Sequence, residues 1–184
     1  SVMKLCKSLA IVRFLLVTFL LLSRAPVANG DDWDQTQKLT TSISILNAYF
    51  GGSVSTYGNI TLIGAYGENS NQGSAYIFQS TNGGSTWSQK QKLIASNGNS
   101  GDLFGGSVSI YGNIALVGSG FDDNRLGSAF IFRSLDGGST WTETQKLTAS
   151  NGYISVQSRD LFGYSVQLYD KTALIGSNRR RSEE

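Results

Sequence analysis

Histidine is absent from this 184-residue sequence, and the single cysteine, Cys6, lies near its start. These absences exclude imidazole general bases, histidine-ligated metals, thiol nucleophiles and disulfide bonds from the rest of the chain. One proline and a charged fraction of 15% argue against long disordered segments. Any chemistry must therefore rest on carboxylates, hydroxyls, lysine or arginine.

The chain also has little net charge of either sign. The formal net charge is +2, but four of the 15 basic residues and none of the 13 acidic residues fall in the first thirty positions. The remainder carries 11 basic and 13 acidic residues, a net charge of −2. Nucleic-acid binding needs clustered lysine and arginine that contact phosphates. A near-neutral body without a basic stripe argues against nucleic acid as a partner.

The first thirty residues have the layout of a secretory signal peptide. A positive region at Lys4–Arg13 precedes an apolar core at Phe14–Leu22, and small residues at Ala28–Gly30 favour cleavage before Asp31. The alternative is a retained anchor, but a membrane span needs roughly 20 apolar residues. We therefore expect a cleaved signal peptide, no stable membrane span and a secreted or extracellular protein. In that context Asn59-Ile60-Thr61 predicts N-glycosylation at Asn59.

The body of the chain is built from a repeat. Phe50–Leu93 and Phe104–Leu147 align without a gap and agree at more than half of their positions, and a third copy runs from Phe162 to Gly176. A fragment at Trp33–Leu39 matches the end of each full copy. Periods of this length indicate stacked supersecondary units. The predicted organisation is a signal peptide (1–30), an outer-strand remnant and linker (31–49), two repeats (50–103 and 104–161), a partial repeat (162–176) and a charged tail (177–184).

Four short strands are predicted in each unit. In the second repeat they are Ser107–Ile110, Ile114–Val117, Ser128–Phe132 and Trp141–Leu147, with a Gly-Asn hairpin turn between the first two. The second and third strands are apolar throughout, so both of their faces should be buried, whereas the polar fourth strand suits an outer edge. A β-sandwich is the alternative, but it should alternate more clearly and needs no long repeat. We predict an all-β fold of four-stranded antiparallel β-propeller blades, with about two and a half blades present.

Two motifs carry family resemblances. The segments Phe104-Gly105-Gly106-Ser107-Val108 and Gly112–Gly118 resemble the FG-GAP repeat, the blade unit of integrin-α-like propellers. Phe50-Gly51 and Phe162-Gly163 begin the sister copies. The resemblance implies a secreted or cell-surface module that binds or adheres to extracellular protein or glycan ligands.

The second motif is the hairpin Ser134–Trp141, which is similar to the Asp-box S-x-D-x-G-x-T-W. An Asp side chain accepts hydrogen bonds from backbone N–H groups just ahead of it, and the glycines permit positive φ. We expect Asp136 to hold the turn and Trp141, like Trp87 in the first repeat, to bury its ring. The first repeat has Asn82 in place of Asp136, which favours a structural role over a catalytic one.

The acidic residues give only weak support for a metal-binding site. In integrin-like FG-GAP propellers some blades carry a calcium loop resembling D-x-D-x-D-G-x-x-x-D. The weak candidates here are Asp122, Asp123 and Asn124, but adjacent acids in an extended loop would direct at most one carboxylate at a shared ion. We expect a solvated polar loop with no metal or cofactor, and calcium stays an alternative. The remaining acids are interpreted as turn or strand-entry caps (Asp102 and Asp160) and as an exposed terminus (Asp31–Asp34).

The function that these patterns favour is non-catalytic binding. The loop at Gly118–Gly127 differs from its counterpart at Gly64–Gly73, so recognition is predicted there. Tyr66, Phe121 and Tyr153 lie on predicted loops and could supply aromatic contacts or pack locally.

The alternative is a sialidase-like glycoside-processing enzyme, suggested by the Asp-box. It would need an arginine cluster and two carboxylates roughly 5–10 Å apart. Neither is evident from the body's arginines and glutamates: Arg125, Arg133, Arg159, Arg179–Arg181, Glu68 and Glu143. Propellers usually have about four to eight blades, so we interpret the sequence as a fragment of a longer protein whose open blade faces would self-associate.

Overall fold

The computed structural model describes residues 19–23, 34–42, 45–149 and 160–178. Their strands fall into four antiparallel sheets. The first sheet contains β1 (Phe19–Ser23) and β2 (Asp34–Leu39). The second contains β3 (Phe50–Tyr57), β4 (Ile60–Ala65), β5 (Ser74–Gln79) and β6 (Ser88–Leu93), with α1 (Glu68–Asn71) between β4 and β5. The third contains β7 (Ser107–Tyr111), β8 (Ile114–Ser119), β9 (Ser128–Arg133) and β10 (Thr142–Leu147), with α2 (Asp122–Arg125) between β8 and β9. The fourth contains β11 (Phe162–Tyr169) and β12 (Thr172–Ser177).

Each full repeat forms one four-stranded blade in simple meander order. The first blade is ordered β3-β4-β5-β6 and the second β7-β8-β9-β10, so the polar fourth strand lies at the outer edge. This confirms the predicted all-β class and the antiparallel blades. In the second repeat the strands occur where predicted: the first three extend one or two residues further, and the fourth begins one residue later, at Thr142.

Each two-stranded sheet corresponds to half of a four-stranded blade. The β11–β12 hairpin repeats the pairing of β3 with β4, including a register shift after the opening phenylalanine. The β1–β2 pair repeats the register of β5 with β6, since Leu20 lies opposite Lys38 as Tyr76 lies opposite Lys92. β1 falls inside the predicted signal peptide, so this pairing is that of the uncleaved chain, and cleavage stays a prediction.

The core lies between blades. Residues from both full blades form one apolar cluster, in which Leu62 and Ile77 of the first blade join Phe104 and Phe130 of the second. The opposite face of the first blade packs against Leu39 of β2, and the opposite face of the second blade packs against β11 and β12. Because each central strand has a neighbouring blade on both sides, it is apolar at consecutive positions.

Polar residues of the first strands join neighbouring blades. Ser55 Oγ accepts a hydrogen bond from Ile110 N at 3.1 Å, and Ser109 Oγ accepts one from Leu168 N at 2.8 Å. Ser109 is buried by this contact. The polar–apolar alternation of these strands therefore reflects hydrogen bonds between blades as well as contact with solvent.

Gly105 shows why a glycine follows the phenylalanine that begins each repeat. Its φ is +86°, and a Cβ atom there would lie 2.2 Å from the carbonyl oxygen of Ser74 in the preceding blade. Gly163 repeats this arrangement against Ser128, at 2.1 Å. Only glycine permits both the positive φ and this approach of two backbones.

A glutamine clasp links the outer strands of successive blades. Gln91 Nε2 donates to Trp141 O at 2.8 Å, and Trp141 N donates to Gln91 Oε1 at 2.7 Å. Gln37 makes the same two bonds with Trp87, at 3.0 and 2.7 Å. The recurring Gln-Lys-Leu sequence at the end of each unit thus includes a contact with the next unit.

Several predicted features lie outside the described residues: residues 1–18 and 24–33 (with Trp33 and the first acids of Asp31–Asp34), Tyr153, Arg159 and the tail from Arg179 onward. Within the described ranges, no helix is long and apolar enough to cross a membrane.

Candidate functional site

The two ends of the blades carry different kinds of connection. One end, here called the turn end, holds the hairpins at 57–60, 80–87, 111–114 and 134–141. The other, the loop end, holds the α1 and α2 loops and the linker that joins the two blades at residues 94–103. The predicted recognition loops, Gly64–Gly73 and Gly118–Gly127, lie at the loop end.

The α2 loop is compact, and this corrects the expectation of an extended, solvated loop. Asp123, Asn124 and Arg125 all have positive φ, between 50° and 73°, which turns the chain within four residues. Asp122 is only 2% exposed. Its Oδ2 lies 2.6 Å from Lys146 Nζ on β10, and Asp123 Oδ2 lies 3.0 Å from the same nitrogen. Both adjacent carboxylates therefore face one cation, contrary to the prediction that at most one could.

The α1 loop of the first blade also contains a buried carboxylate that is paired with a lysine. Glu68 is fully buried, and its carboxylate contacts Lys92 Nζ on β6 at 2.6 Å. Tyr76 donates its hydroxyl hydrogen to Glu68 Oε1 at 2.6 Å. Burial raises the pKa of Tyr76, and the bond to the Glu68 carboxylate raises it further. In the two full repeats, the lysine of the Gln-Lys-Leu sequence thus anchors the loop of its own blade.

The candidate calcium residues do not fit a calcium site. Lys146 places its ammonium between Asp122 and Asp123, where a metal ion would have to lie. Burial lowers the pKa of Lys146, but its bonds to the two carboxylates outweigh that effect and the net pKa is raised. Among the described residues there is no group of three or more acidic, histidine or cysteine side chains placed to hold a metal. Calcium would have to displace a bound ammonium.

A polar cleft of about 390 Å³ opens between the α2 loop and the linker. Its lining combines linker residues with α2-loop residues: Asn99, Ser100, Gly101, Asp102, Phe121, Asp123, Asn124 and Arg125. The Arg125 guanidinium lies 5.3 Å from the centre of the Phe121 ring. In the part of the chain that the structure describes, neither Arg125 nor Asn124 has a side-chain hydrogen bond or ion pair. Two polar side chains are thus available to a ligand.

Both walls of the cleft are fixed. Ser100 Oγ donates to Ser70 O at 2.8 Å, and Gln72 Nε2 donates to Gly98 O at 2.7 Å, so the linker is tied to the first blade. Leu161 N donates to Arg125 O at 3.1 Å, which ties the α2 loop to the residue that precedes β11. The cleft is therefore preorganised by contacts from three repeats.

Asp102 forms the base of one wall. It is buried, and its Oδ2 accepts a hydrogen bond from Asn99 N at 2.6 Å, which is the turn-capping contact expected from the sequence. Burial raises the pKa of Asp102, although the bond from Asn99 opposes the shift. The corresponding residue Asp160 accepts a hydrogen bond from Ser177 through its backbone oxygen.

The Asp-box hairpin lies at the turn end, away from the cleft. Asp136 Oδ1 accepts hydrogen bonds from Ser139 N at 3.0 Å and Thr140 N at 2.9 Å. The Thr140 hydroxyl donates to Asp136 Oδ2 at 2.6 Å. These bonds, with that from the Thr140 side chain the largest cause, lower the pKa of Asp136 to about 2. Trp141 closes the hairpin, with Nε1 donating to Gly138 O at 3.0 Å. The two bonds from backbone N–H groups to Asp136 are those that the sequence pattern predicts, and the Trp141 ring is buried as expected.

Comparison with protein families agrees with the architecture. The family model described as FG-GAP repeat matches residues 33–78, 87–132 and 141–183, which is well over half of the chain. This chain belongs to the FG-GAP repeat family. A search of curated proteins returned no match. Each family match begins at a tryptophan. The first match therefore covers β2, β3, β4 and most of β5, and the second combines β6, the fourth strand of the first blade, with β7, β8 and most of β9. The glutamine clasp therefore joins consecutive family units.

The two described aromatic residues that were predicted to lie on recognition loops, Tyr66 and Phe121, have different surroundings. Tyr66 stacks on Tyr49 with ring centres 4.8 Å apart and planes 4° from parallel, whereas Phe121 lies on the cleft wall. Sequence reasoning missed a tyrosine row at the turn end, although tyrosine recurs at the same place in all three repeats. Its ring centres are 4.7 and 5.7 Å apart across successive blades: Tyr57, Tyr111 and Tyr169.

The sequon of the FG-GAP chain is at the turn end. Asn59 is exposed, and its Nδ2 donates to Ser80 O at 3.1 Å. Thr61 is fully buried, with Oγ1 3.0 Å from Thr56 Oγ1. A glycan at Asn59 stays a prediction, and it would have to be attached before the first blade folds.

Proposed function

We propose that this FG-GAP chain is a non-catalytic module of a secreted or cell-surface protein that binds an extracellular protein or glycan at its loop end. FG-GAP repeats are typical of extracellular-type propeller modules. The observation that carries the proposal is the cleft, where the side chains of Asn124 and Arg125 make no hydrogen bond or ion pair with any other described residue. Propeller loops from successive blades together present a binding surface, and polar groups that converge on a fixed cleft are the usual mark of a ligand site.

A binding role is favoured over catalysis by the contacts of the glutamates. Glu68 is fully buried and ion-paired. The Glu143 carboxylate accepts bonds from Ser96 N at 2.9 Å and from Ser96 Oγ at 2.8 Å, which fastens β10 to the linker. A glycosidase needs one carboxyl group with a raised pKa and a second carboxylate beside the scissile bond. Glu68 is instead committed to anchoring the α1 loop within its own blade, and Glu143 to the contact between β10 and the linker.

The loop-end proposal is tested by binding. The full chain, produced through a eukaryotic secretory pathway, is applied to arrays of extracellular-matrix proteins and cell-surface glycans. We expect selective binding that the double variant Asn124→Ala/Arg125→Ala abolishes. A matched control is Leu135→Ser, because Leu135 is 94% exposed on a turn-end hairpin. Equal loss in both variants, or turnover of an arrayed glycan, would contradict the proposal.

Secretion is tested on the same preparation. N-terminal sequencing of the secreted protein is expected to begin at Asp31, because the small residues at positions 28 and 30 fit signal-peptidase cleavage. A product retained in cells with residues 19–23 still attached would show that β1 belongs to the mature chain.

A further inference from the structure

We infer that the loop-end cleft binds one uncharged sugar unit of a glycan through its hydroxyl groups. The inference rests on the proposed binding function and names its ligand class. The cleft, at about 390 Å³, is at the small end of the usual range of ligand pockets, roughly 300–1,000 Å³. That size suits a single sugar ring better than a folded protein surface.

The charges around the cleft favour an uncharged ligand over an anionic one. Asp102 and Asp123 both line it, and the buried Asp122 precedes Asp123 in the α2 loop. Arg125 is the one cation on the lining, and Lys146 is already engaged by Asp122 and Asp123. A sulfate or carboxylate group bound to Arg125 would also approach the lining carboxylates, and like charges repel over this range. A ligand with no formal charge avoids that cost.

The hydrogen-bonding groups suit hydroxyls in particular. The guanidinium of Arg125 can only donate, an ionised Asp123 can only accept, and the amide of Asn124 does both. A sugar hydroxyl both donates and accepts, so neighbouring hydroxyls of one ring can satisfy these three side chains together. An apolar ligand would leave the Asn124 and Arg125 side chains desolvated without hydrogen-bond partners, at about 1–3 kcal/mol each.

One aromatic wall completes the site. The half-buried Phe121 ring offers the cleft its apolar surface, and Arg125 lies over that ring 5.3 Å from its centre, which holds the guanidinium at the cleft. The first blade has no such arrangement. Gly67 and Asn71 replace Phe121 and Arg125, and the Tyr49–Tyr66 stack covers the neighbouring surface. Of the two full repeats, only the second therefore carries the site.

The test uses the full chain and defined sugars. Galactose-, mannose- and glucose-terminated oligosaccharides, and the same sugars capped with sialic acid or sulfate, are titrated by calorimetry and by saturation-transfer NMR. We expect at least one neutral sugar to bind and its capped form to bind more weakly. Arg125→Met should raise the dissociation constant roughly tenfold or more, the value of one charge-assisted hydrogen bond. Arg133→Met, at an exposed arginine on β9, should leave it within about twofold.

The outcomes separate this inference from the proposed function. Preference for the capped sugars, or neutral-sugar binding that Arg125→Met leaves unchanged, overturns the inference. If a matrix protein binds at the loop end and no sugar does, the ligand class is wrong and the binding function stands. If no array component binds the full chain, both are refuted.

Discussion

The glutamine clasp offers a sharp test of how the blades are joined. Gln91→Ala removes two hydrogen bonds to the backbone of Trp141, whose ring is 3% exposed. At about 1 kcal/mol net for each bond, the free energy of unfolding should fall by about 2 kcal/mol. For a chain of this size, that corresponds to a decrease in melting temperature of roughly 4–8 °C.

The repeat supplies matched controls for this substitution. Gln145 occupies the same position in the second repeat, but it is exposed and makes no side-chain hydrogen bond within the described residues. Gln145→Ala should therefore change stability by less than about 0.5 kcal/mol. Gln37→Ala breaks the equivalent clasp to Trp87 and should resemble Gln91→Ala.

Urea unfolding followed by tryptophan fluorescence and by circular dichroism measures all three variants. Coincident transitions for the two signals are required before the free energies are compared. Gln91→Ala and Gln145→Ala could instead lower the free energy of unfolding equally. That result would show that glutamine contributes through strand propensity and that the clasp does not stabilise the contact between blades.

Three further substitutions test the remaining contacts. Trp141→Ala should cost roughly 3–5 kcal/mol in urea unfolding, because it empties a buried ring position between the blades. Lys146→Met should cost roughly 3–5 kcal/mol, because it leaves the buried Asp122 carboxylate without its ion pair. Asp136→Asn keeps the hairpin acceptor but removes its charge. Since the pKa of Asp136 is lowered to about 2, its charge stabilises the wild type above about pH 4, and this advantage over the variant should vanish as pH falls towards 2.

Each of these predictions has a distinguishing outcome. A loss below about 1 kcal/mol for Trp141→Ala would mean that the ring is exposed in solution. Lys90→Met is the control for Lys146→Met, because Lys90 is exposed on β6, and equal effects of the two would refute the buried ion pair. A constant stability difference between pH 6 and pH 2 would show that the Asp136 charge has no role in the hairpin.

Much of the fold follows from local sequence. The apolar runs at Ile114–Val117 and Ser128–Phe132 require burial on both faces, and the polar run before Leu147 suits an edge. Glycines in the hairpins fix where the strands end. Because the pattern occurs in register in two full copies and a partial third, these signals reinforce one another, and the predicted strands match the observed ones.

The site followed from sequence only in part. The variable loop at Gly118–Gly127 was identified by comparing copies, but its compact turn was not, because three successive non-glycine residues with positive φ are rare. The pairing of Asp122 with Lys146 was missed as well. Those residues belong to different strands and loops, and no periodicity in the sequence relates them.

The sequence by itself therefore determined the repeating unit, its four strands, its turn chemistry and its family. Tertiary structure alone decided which glutamine reaches which tryptophan, which carboxylates are buried against a lysine, and where a cleft forms beside Arg125. The physical reason is the distance along the sequence over which each interaction acts. Strand period and turn type depend on neighbours a few residues away, whereas the clasp and the cleft join residues from separate repeats that approach one another only when the blades stack.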